Sequence, residues 1–196
     1  MYRFALAVAL AACSTPAIAE TIEEKAATCG ACHGLKGIPE DKSVPIIWGQ
    51  NVGYLYLQVR DFQKGARKDE HMSTAAKNVA KQDALKLAEY FAAKSWPRTD
   101  APAASSTETS VAMTAIKSVV CTSCHLDQFQ GDSSVPRLAG QQRDYLLKTM
   151  LDFRDRKRAN NPGMSGLINT VTPEQIEAIA SYLAGLDIAV SPSASR

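Results

Sequence analysis

Residues 29–33 read Cys-Gly-Ala-Cys-His, and residues 121–125 read Cys-Thr-Ser-Cys-His, 92 positions further along the chain. A methionine follows the first cysteine of each stretch by 43 residues, Met72 in one copy and Met164 in the other. Four dipeptides recur between these landmarks at a spacing of 91, namely Val44-Pro45 and Val135-Pro136, Gly49-Gln50 and Gly140-Gln141, Tyr54-Leu55 and Tyr145-Leu146, and Asp61-Phe62 and Asp152-Phe153. Matches of this number and order indicate a duplicated unit of about 80 residues.

The duplication predicts how the chain of 196 residues is divided. The first unit is expected to span residues 20–97 and the second residues 110–190. Residues 98–109 are rich in Pro, Ala, Ser and Thr and lack apolar periodicity, so they are predicted to form an extended linker.

Helix signals dominate both units. Thr21 and Glu24 have the spacing of a capping box and open a helix that runs into the first cysteine, while Thr172, Pro173 and Gln175 open the last helix. Apolar residues then fall on one face of each last helix: Ala84, Leu87, Ala88 and Phe91 in the first unit, and Ile176, Ile179, Ala180 and Leu183 in the second. With no sustained strand alternation, the sequence predicts an all-α fold.

Three further elements are expected from the same patterns. Residues 51–64 and 142–157 should form the middle helix of each unit, and Ser110 should cap a helix over residues 111–120. Met72 and Met164 follow the middle helices in polar surroundings and are expected to lie in loops.

The N-terminal segment resembles a secretory signal. One arginine precedes an apolar run, and small residues at positions 17 and 19 suit cleavage before Glu20, so residues 1–19 are predicted to be a signal peptide and the mature protein to be periplasmic. An apolar N-terminal helix of the fold is one alternative. Residues 10–13 also resemble a lipobox, in which Cys13 would become a lipid anchor.

Composition narrows the classes of partner. The formal net charge is +2, which disfavours nucleic acid as a partner. No stretch reaches about 18 consecutive apolar residues, so no transmembrane span is expected in the mature chain.

Two C-x-x-C-H motifs in an exported chain favour covalent haem c over the other uses of cysteine. The spacing lets two thiols reach the two vinyl groups of one porphyrin while the adjacent histidine binds iron. Cys29, Cys32, Cys121 and Cys124 are therefore predicted to attach two haem c groups, and His33 and His125 to bind their irons. A four-cysteine zinc site, a thioredoxin-like redox pair and small disulfides are the weaker alternatives.

The sixth ligand decides between an electron carrier and an enzyme. Met72 and Met164 are the candidates, because their spacing from the haem cysteines is the same and neither lies on an apolar helix face. His71 is a substitute candidate for the first haem only. Paired His/Met ligation leaves no open iron position and favours ferrous iron, which suits outer-sphere electron transfer.

Residues around the haems can be proposed from the same repeats. A backbone carbonyl near Pro45 or Pro136 could accept the proximal histidine N–H, although either proline could instead be a simple turn residue. The candidate donors to haem propionates are Trp48, Gln50, Tyr54, Arg60, Arg67, Gln141, Tyr145 and Arg158.

The duplicated pattern resembles the class I c-type cytochromes, and specifically the di-haem cytochrome c4 family, over about residues 21–187. The resemblance implies two cytochrome domains related by a pseudo-twofold axis, with Cys29, Cys32, His33 and Met72 holding the first haem and Cys121, Cys124, His125 and Met164 the second. It implies no catalytic residues and an electron carrier between a quinol-oxidising complex or dehydrogenase and a terminal oxidase. Two alternatives are the cytochrome subunit of a sulfur-compound dehydrogenase and a di-haem enzyme with one open iron.

Overall fold

The computed structural model describes residues 20–188, so the predicted signal segment and Cys13 lie outside the described residues. Nine helices occupy this range: α1 (Ile22–His33), α2 (Val52–Lys64), α3 (Glu70–Lys77), α4 (Lys81–Ala92), α5 (Ser106–Ser118), α6 (Thr122–His125), α7 (Arg143–Arg154), α8 (Pro162–Ile168) and α9 (Pro173–Ala184). A single bridge between Asp132 and Val135 is the only β pairing between residues 20 and 188. The all-α prediction is confirmed.

The helix starts follow capping chemistry. Thr21 and Thr172 are N-caps with complete capping boxes, as the sequence predicts. The prediction at Ser110 was wrong, because α5 begins at Ser106 behind the N-cap Ser105. Glu108 stands three residues after Ser105 and closes a capping box with it, an option that Ser110 lacks because Met113 occupies the corresponding place.

The two C-x-x-C-H motifs sit in different local structures. The first is the end of α1, which continues without interruption to His33. In the second unit the helix stops at Ser118, Val120 takes a left-handed φ of 49°, and the short α6 carries the motif to His125. Both motifs still place their histidine at the end of a helix, although the backbone before it follows a different path in each unit.

The predicted loop position of the two methionines was wrong. Met72 lies in α3 and Met164 in α8, each as the third residue of a short helix. The predicted middle helix over 142–157 is also shorter, since α7 ends at Arg154. The two helices that carry the methionines, α3 and α8, lie between the middle and last helices of each unit, where loops were expected.

The core of the second unit is built by α5, α7 and α9. The predicted apolar face of α9 is buried, with Ile176 fully buried and Leu183 1% exposed. The predicted face of α4 is buried in the first unit as well, where Leu87 and Phe91 pack against Ala26 of α1. No helix between residues 20 and 188 has the length and apolar character needed to cross a membrane.

The two units meet through reciprocal contacts. The Tyr54 N–H at the start of α2 donates to the Ser133 carbonyl of the other unit at 3.1 Å, and the Tyr145 N–H at the start of α7 donates to the Lys42 carbonyl at 3.1 Å. Each pair joins positions that correspond under the repeat. Because each of these hydrogen bonds has an equivalent that runs in the opposite direction, the two units are related by an approximate twofold axis.

Candidate haem-binding sites

Both motif histidines are buried and held by a carbonyl group. The His33 Nδ1–H donates to the Pro45 carbonyl at 2.8 Å, and the His125 Nδ1–H donates to the Pro136 carbonyl at 3.0 Å. The prediction of a nearby carbonyl is confirmed, and the prolines themselves supply it. This bond fixes the tautomer, so the Nε2 lone pair is left for a metal ion.

Burial also keeps the two histidines neutral. It lowers the pKa of His33 and of His125, against the hydrogen bonds to the proline carbonyls, which raise it. A neutral imidazole is the form that binds iron. The arrangement therefore prepares each histidine as a ligand.

The four motif cysteines are free thiols, with Cys29 and Cys32 in α1, Cys121 directly before α6 and Cys124 within it. Cys29 and Cys121 are half-buried, and burial raises the pKa of both thiols, while Cys32 and Cys124 are exposed. Residues 20–188 hold no group of three or more His, Cys, Asp and Glu side chains close enough to bind one metal ion. The zinc alternative therefore finds no converging site in this range.

The two methionines share a capping arrangement that the sequence reasoning missed. Asp69 caps α3 and its Oδ1 accepts the Met72 N–H at 3.0 Å, while Asn161 caps α8 and its Oδ1 accepts the Met164 N–H at 3.1 Å. Both methionines are half-buried. The available signal was a short polar residue three positions before each methionine, which is a typical N-cap spacing.

Two charged side chains that precede Met72 in the sequence affect the pKa of the first motif histidine. Besides burial and the Pro45 carbonyl, the charge of Arg67 lowers the pKa of His33 and the charge of Asp69 raises it. These two charges oppose each other, and burial remains the main cause of the lowered pKa of His33.

Two arginines and two tyrosines form a cluster between the units. Arg67 donates to the Tyr145 hydroxyl at 3.1 Å, and Arg158 donates to the Tyr54 hydroxyl at 3.4 Å. Gln58 lies between the guanidinium groups and accepts from both at 2.9 Å. We call these five residues the Arg–Tyr cluster.

The guanidinium groups of this cluster lack carboxylate partners. Within residues 20–188 neither Arg67 nor Arg158 has an Asp or Glu oxygen within 4.0 Å, although Arg158 is only 8% exposed. Burial raises the pKa of Tyr145, but the charges of Arg67 and Arg158 outweigh it and lower that pKa to about 7. The cluster is therefore an electropositive site between the units that favours an anion.

Comparison with known proteins identifies this architecture. The family model of cytochrome c matches residues 114–187. Cytochrome c4 of Azotobacter vinelandii is 32% identical over 181 residues, which cover 83% of this chain and 86% of that protein. This chain belongs to the cytochrome c4 family. The crystal structure of reduced cytochrome c4 from Pseudomonas stutzeri is similar to this structure, with a TM-score of 0.75 and 27% sequence identity. The similarity covers 86% of this chain and all of that one.

A second group of relatives carries a different name. The thiosulfate dehydrogenase electron acceptor of Thiomonas intermedia is 31% identical over 195 residues, covering 93% of this chain and 89% of that protein. Cytochrome c4 proteins are di-haem electron carriers, and this chain is one as well, with two covalently bound haem c groups as its cofactors.

The residues of this cytochrome c4 fit two haem c groups. Each unit offers a neutral histidine with a free Nε2, a pair of free thiols three residues apart and a half-buried methionine. Haem propionates are anions, and the Arg–Tyr cluster has two positive charges without carboxylate partners, Arg158 being buried and Arg67 half-buried. The donor set and the charge balance both match the cofactor.

The candidate propionate donors now separate into two groups. Arg67, Arg158, Tyr54 and Tyr145 converge in the cluster. Gln50 and Gln141 do not belong to it, because both their amide groups bind backbone atoms of the opposite unit. Arg60 lies over the Tyr56 ring and the Trp48 ring lies near Lys94, and between residues 20 and 188 neither side chain makes a hydrogen bond to a residue of the cluster.

Proposed function

We propose that this cytochrome c4 is exported to the periplasm and shuttles electrons between a quinol-oxidising complex or dehydrogenase and a terminal oxidase. The observation that carries the proposal is the repetition of the whole ligand arrangement. Each unit has a histidine whose Nδ1–H donates to a proline carbonyl. Each also has a methionine whose N–H donates to the N-cap residue three positions before it. An enzyme with one open iron would need the two units to differ at the methionine.

The roles follow the units of the repeat, over residues 20–97 and 110–190. Cys29 and Cys32 attach the first haem, and Cys121 and Cys124 the second. His33 and Met72 bind the first iron, and His125 and Met164 bind the second. The predicted signal peptide, residues 1–19, supports export, and a lipid anchor at Cys13 is the alternative outcome of its processing.

The chain prepares both ligands before an electron arrives. Each bound haem supplies a one-electron ferric/ferrous couple at its iron. The proline carbonyls accept the histidine Nδ1 protons and fix the orientation of each imidazole, while burial opposes the uptake of a second proton at Nε2. The N-caps Asp69 and Asn161 hold the first turns that carry Met72 and Met164. Ligands that do not move between oxidation states keep the reorganisation small.

The Arg–Tyr cluster is proposed to neutralise propionates where the units meet. Arg67 and Arg158 each stack on a phenylalanine of their own unit, with the guanidinium carbon 4.7 Å from the Phe62 centroid and 4.3 Å from the Phe153 centroid. This packing fixes both charges in position. Positive charge held near the irons favours the ferrous state and so raises the reduction potentials.

The relatives named as thiosulfate dehydrogenase electron acceptors favour a second candidate function. Such an acceptor would take electrons from a sulfur-compound dehydrogenase, and the same two haems would serve. Two relatives with that name match over 93% and 82% of this chain. The two candidates differ in the donor alone, which is a sulfur-compound dehydrogenase in the second and a quinol-oxidising complex or another dehydrogenase in the first.

Stopped-flow reduction tests the two donors directly. The ferric holoprotein is mixed with a reduced quinol-oxidising complex, or with thiosulfate dehydrogenase and thiosulfate, and both haems are followed. Rapid reduction of two haems per chain by the quinol-oxidising complex, followed by reoxidation by a terminal oxidase, is expected. Rapid reduction by thiosulfate dehydrogenase alone would assign the chain to the acceptor group instead.

A ligand-binding test separates the carrier from the di-haem enzyme. Cyanide and peroxide should bind slowly to the ferric protein, because methionine occupies the sixth position of both irons. Rapid binding at one haem of the wild-type protein would contradict the carrier function.

A further inference from the structure

Each unit inserts one glutamine into the backbone of the other. Gln141 of the second unit accepts the Ile46 N–H at 2.8 Å and donates to the Ile46 carbonyl at 2.9 Å. Gln50 of the first unit accepts the Arg137 N–H at 2.8 Å and donates to the Arg137 carbonyl at 3.0 Å. Both glutamines are buried, with exposures of 2% and 3%.

The amide that Gln141 binds belongs to the same peptide group that holds the ligand histidine. The Ile46 nitrogen is bonded to the Pro45 carbonyl carbon, and the Pro45 oxygen accepts the His33 Nδ1–H. A continuous chain therefore runs from the Gln141 Oε1 through one peptide group to His33. The equivalent chain runs from Gln50 through the Pro136–Arg137 peptide to His125.

Hydrogen bonds that share a peptide group strengthen one another. Donation by the peptide N–H moves electron density towards its carbonyl oxygen, so that oxygen becomes a stronger acceptor. A stronger acceptor draws the histidine Nδ1 proton and makes the imidazole a better electron donor. A better donor stabilises ferric iron, and the reduction potential falls.

The glutamine amides are fixed in the orientation that this requires. The Gln141 Oε1 also accepts the Gln142 N–H, and the Gln50 Oε1 also accepts the Asn51 N–H, each at 2.9 Å. Each oxygen thus faces two N–H donors, while each Nε2 faces a carbonyl. The reverse orientation would put an NH₂ group against two N–H groups, so the assignment follows from the surroundings.

We propose that Gln141 and Gln50 are positioning residues that lower the reduction potential of the haem in the opposite unit, through the peptide that holds its ligand histidine. The proposal deepens the proposed function and rests on its assignment of His33 and His125 as iron ligands. Docking of the units then affects both reduction potentials, because in separated units each of these peptide groups would lack its glutamine partner.

An NMR-monitored redox titration of the holoprotein tests this, with each set of haem methyl signals assigned to its unit. Gln141→Leu should raise the reduction potential of the His33 haem and leave that of the His125 haem unchanged. At a fixed applied potential, the ferric-to-ferrous ratio of the His33 haem should then fall by about threefold to tenfold. A tenfold change corresponds to ~59 mV for one electron. Gln50→Leu should move the His125 haem instead.

Two variants control for loss of packing. Gln142→Leu removes a neighbouring buried glutamine that also crosses the interface, to the Pro39 carbonyl at 3.3 Å, but does not touch the histidine peptide, so both potentials should stay in place. Gln141→Glu keeps an oxygen for the Ile46 N–H and should hold the His33 haem at or below its wild-type potential.

The outcomes also separate this proposal from the ligand assignment. If Gln141→Leu leaves the His33 haem unchanged, moves both haems equally, or matches Gln142→Leu, the glutamine proposal is overturned while the ligands stand. If the wild-type protein lacks methionine-ligated haem altogether, the proposed function itself fails.

Discussion

At the residue scale, the structure shows which groups hold the proposed ligands in place, namely two proline carbonyls and two helix N-caps. The C-x-x-C-H spacing predicted Cys29, His33 and their counterparts, because covalent attachment requires it, and the equal spacing in the two copies predicted Met72 and Met164. It did not predict the role of Gln50 or Gln141. A glutamine in a repeated pair can bind a propionate, a helix end or a neighbouring backbone, and only the docked units show which backbone is within reach.

The cap of α3 is the first residue-scale prediction. Asp69→Ala should destabilise α3 by about 1 kcal/mol, because the His71 and Met72 N–H groups lose their acceptor. It should also weaken the far-red sulfur-to-iron absorption of the first haem. Thermal unfolding and the ferric spectrum measure both effects. Asp69→Asn keeps the capping oxygen and should behave like wild type, and an equal loss in both variants would argue against the capping role.

The second prediction at this scale concerns the positive charge of the Arg–Tyr cluster. Arg158→Gln removes a buried positive charge and should lower the haem reduction potentials, because ferrous iron loses electrostatic stabilisation relative to ferric iron. A spectroscopic redox titration measures the shift. Arg156→Gln is the matched control, because Arg156 is exposed two residues away. Equal shifts in the two variants would show that net charge alone, and not the cluster, sets the potentials.

At the element scale, capping and apolar periodicity predicted most helices, and competition between caps explains the errors. Thr21 and Thr172 each have a capping-box partner and were correctly predicted. Ser105 and Ser110 lie in one Ser/Thr-rich stretch, and the partner Glu108 decides for Ser105. The break at Val120 could not be predicted, since its left-handed φ has no sequence signal in a β-branched residue.

The buried face of α9 carries an element-scale prediction. Ile176→Ala should destabilise the second unit by about 2–5 kcal/mol, because Ile176 is fully buried in the core of α5, α7 and α9. Chemical denaturation measures the change. Glu177→Ala on the exposed face of the same helix should cost less than about 0.5 kcal/mol. Similar losses at both positions would contradict the assignment of the buried face.

At the scale of the whole molecule, the repeat shows that the units are alike but not how they dock. Any face of one unit could have met the other, because the sequence holds no separate signal for the interface. The structure places the starts of α2 and α7 against the opposite unit, where Tyr54 and Tyr145 make equivalent bonds. Docking therefore connects the haem surroundings of the two units.

The prediction for the whole molecule concerns Gly53, where the two units approach each other closely. A Cβ at Gly53 would lie 2.8 Å from the Ser133 carbonyl oxygen, so Gly53→Ala should push the units apart. The Tyr54 amide should then exchange its hydrogen faster, because it loses its bond to Ser133. Gly166→Ala is the control, since nothing lies within 4 Å of its Cβ in α8. Unchanged exchange at Tyr54 in Gly53→Ala would contradict the interface.

Each unit is proposed to hold one haem between its motif histidine and the methionine of the short helix that follows the middle helix. The far-red sulfur-to-iron absorption of the ferric holoprotein, measured per haem, tests this most directly. The wild-type protein should show methionine ligation at both haems, and Met72→Ala and Met164→Ala should each remove half of the absorption. Absorption from one haem or none in the wild-type protein, or absorption that survives both substitutions together, would contradict the account.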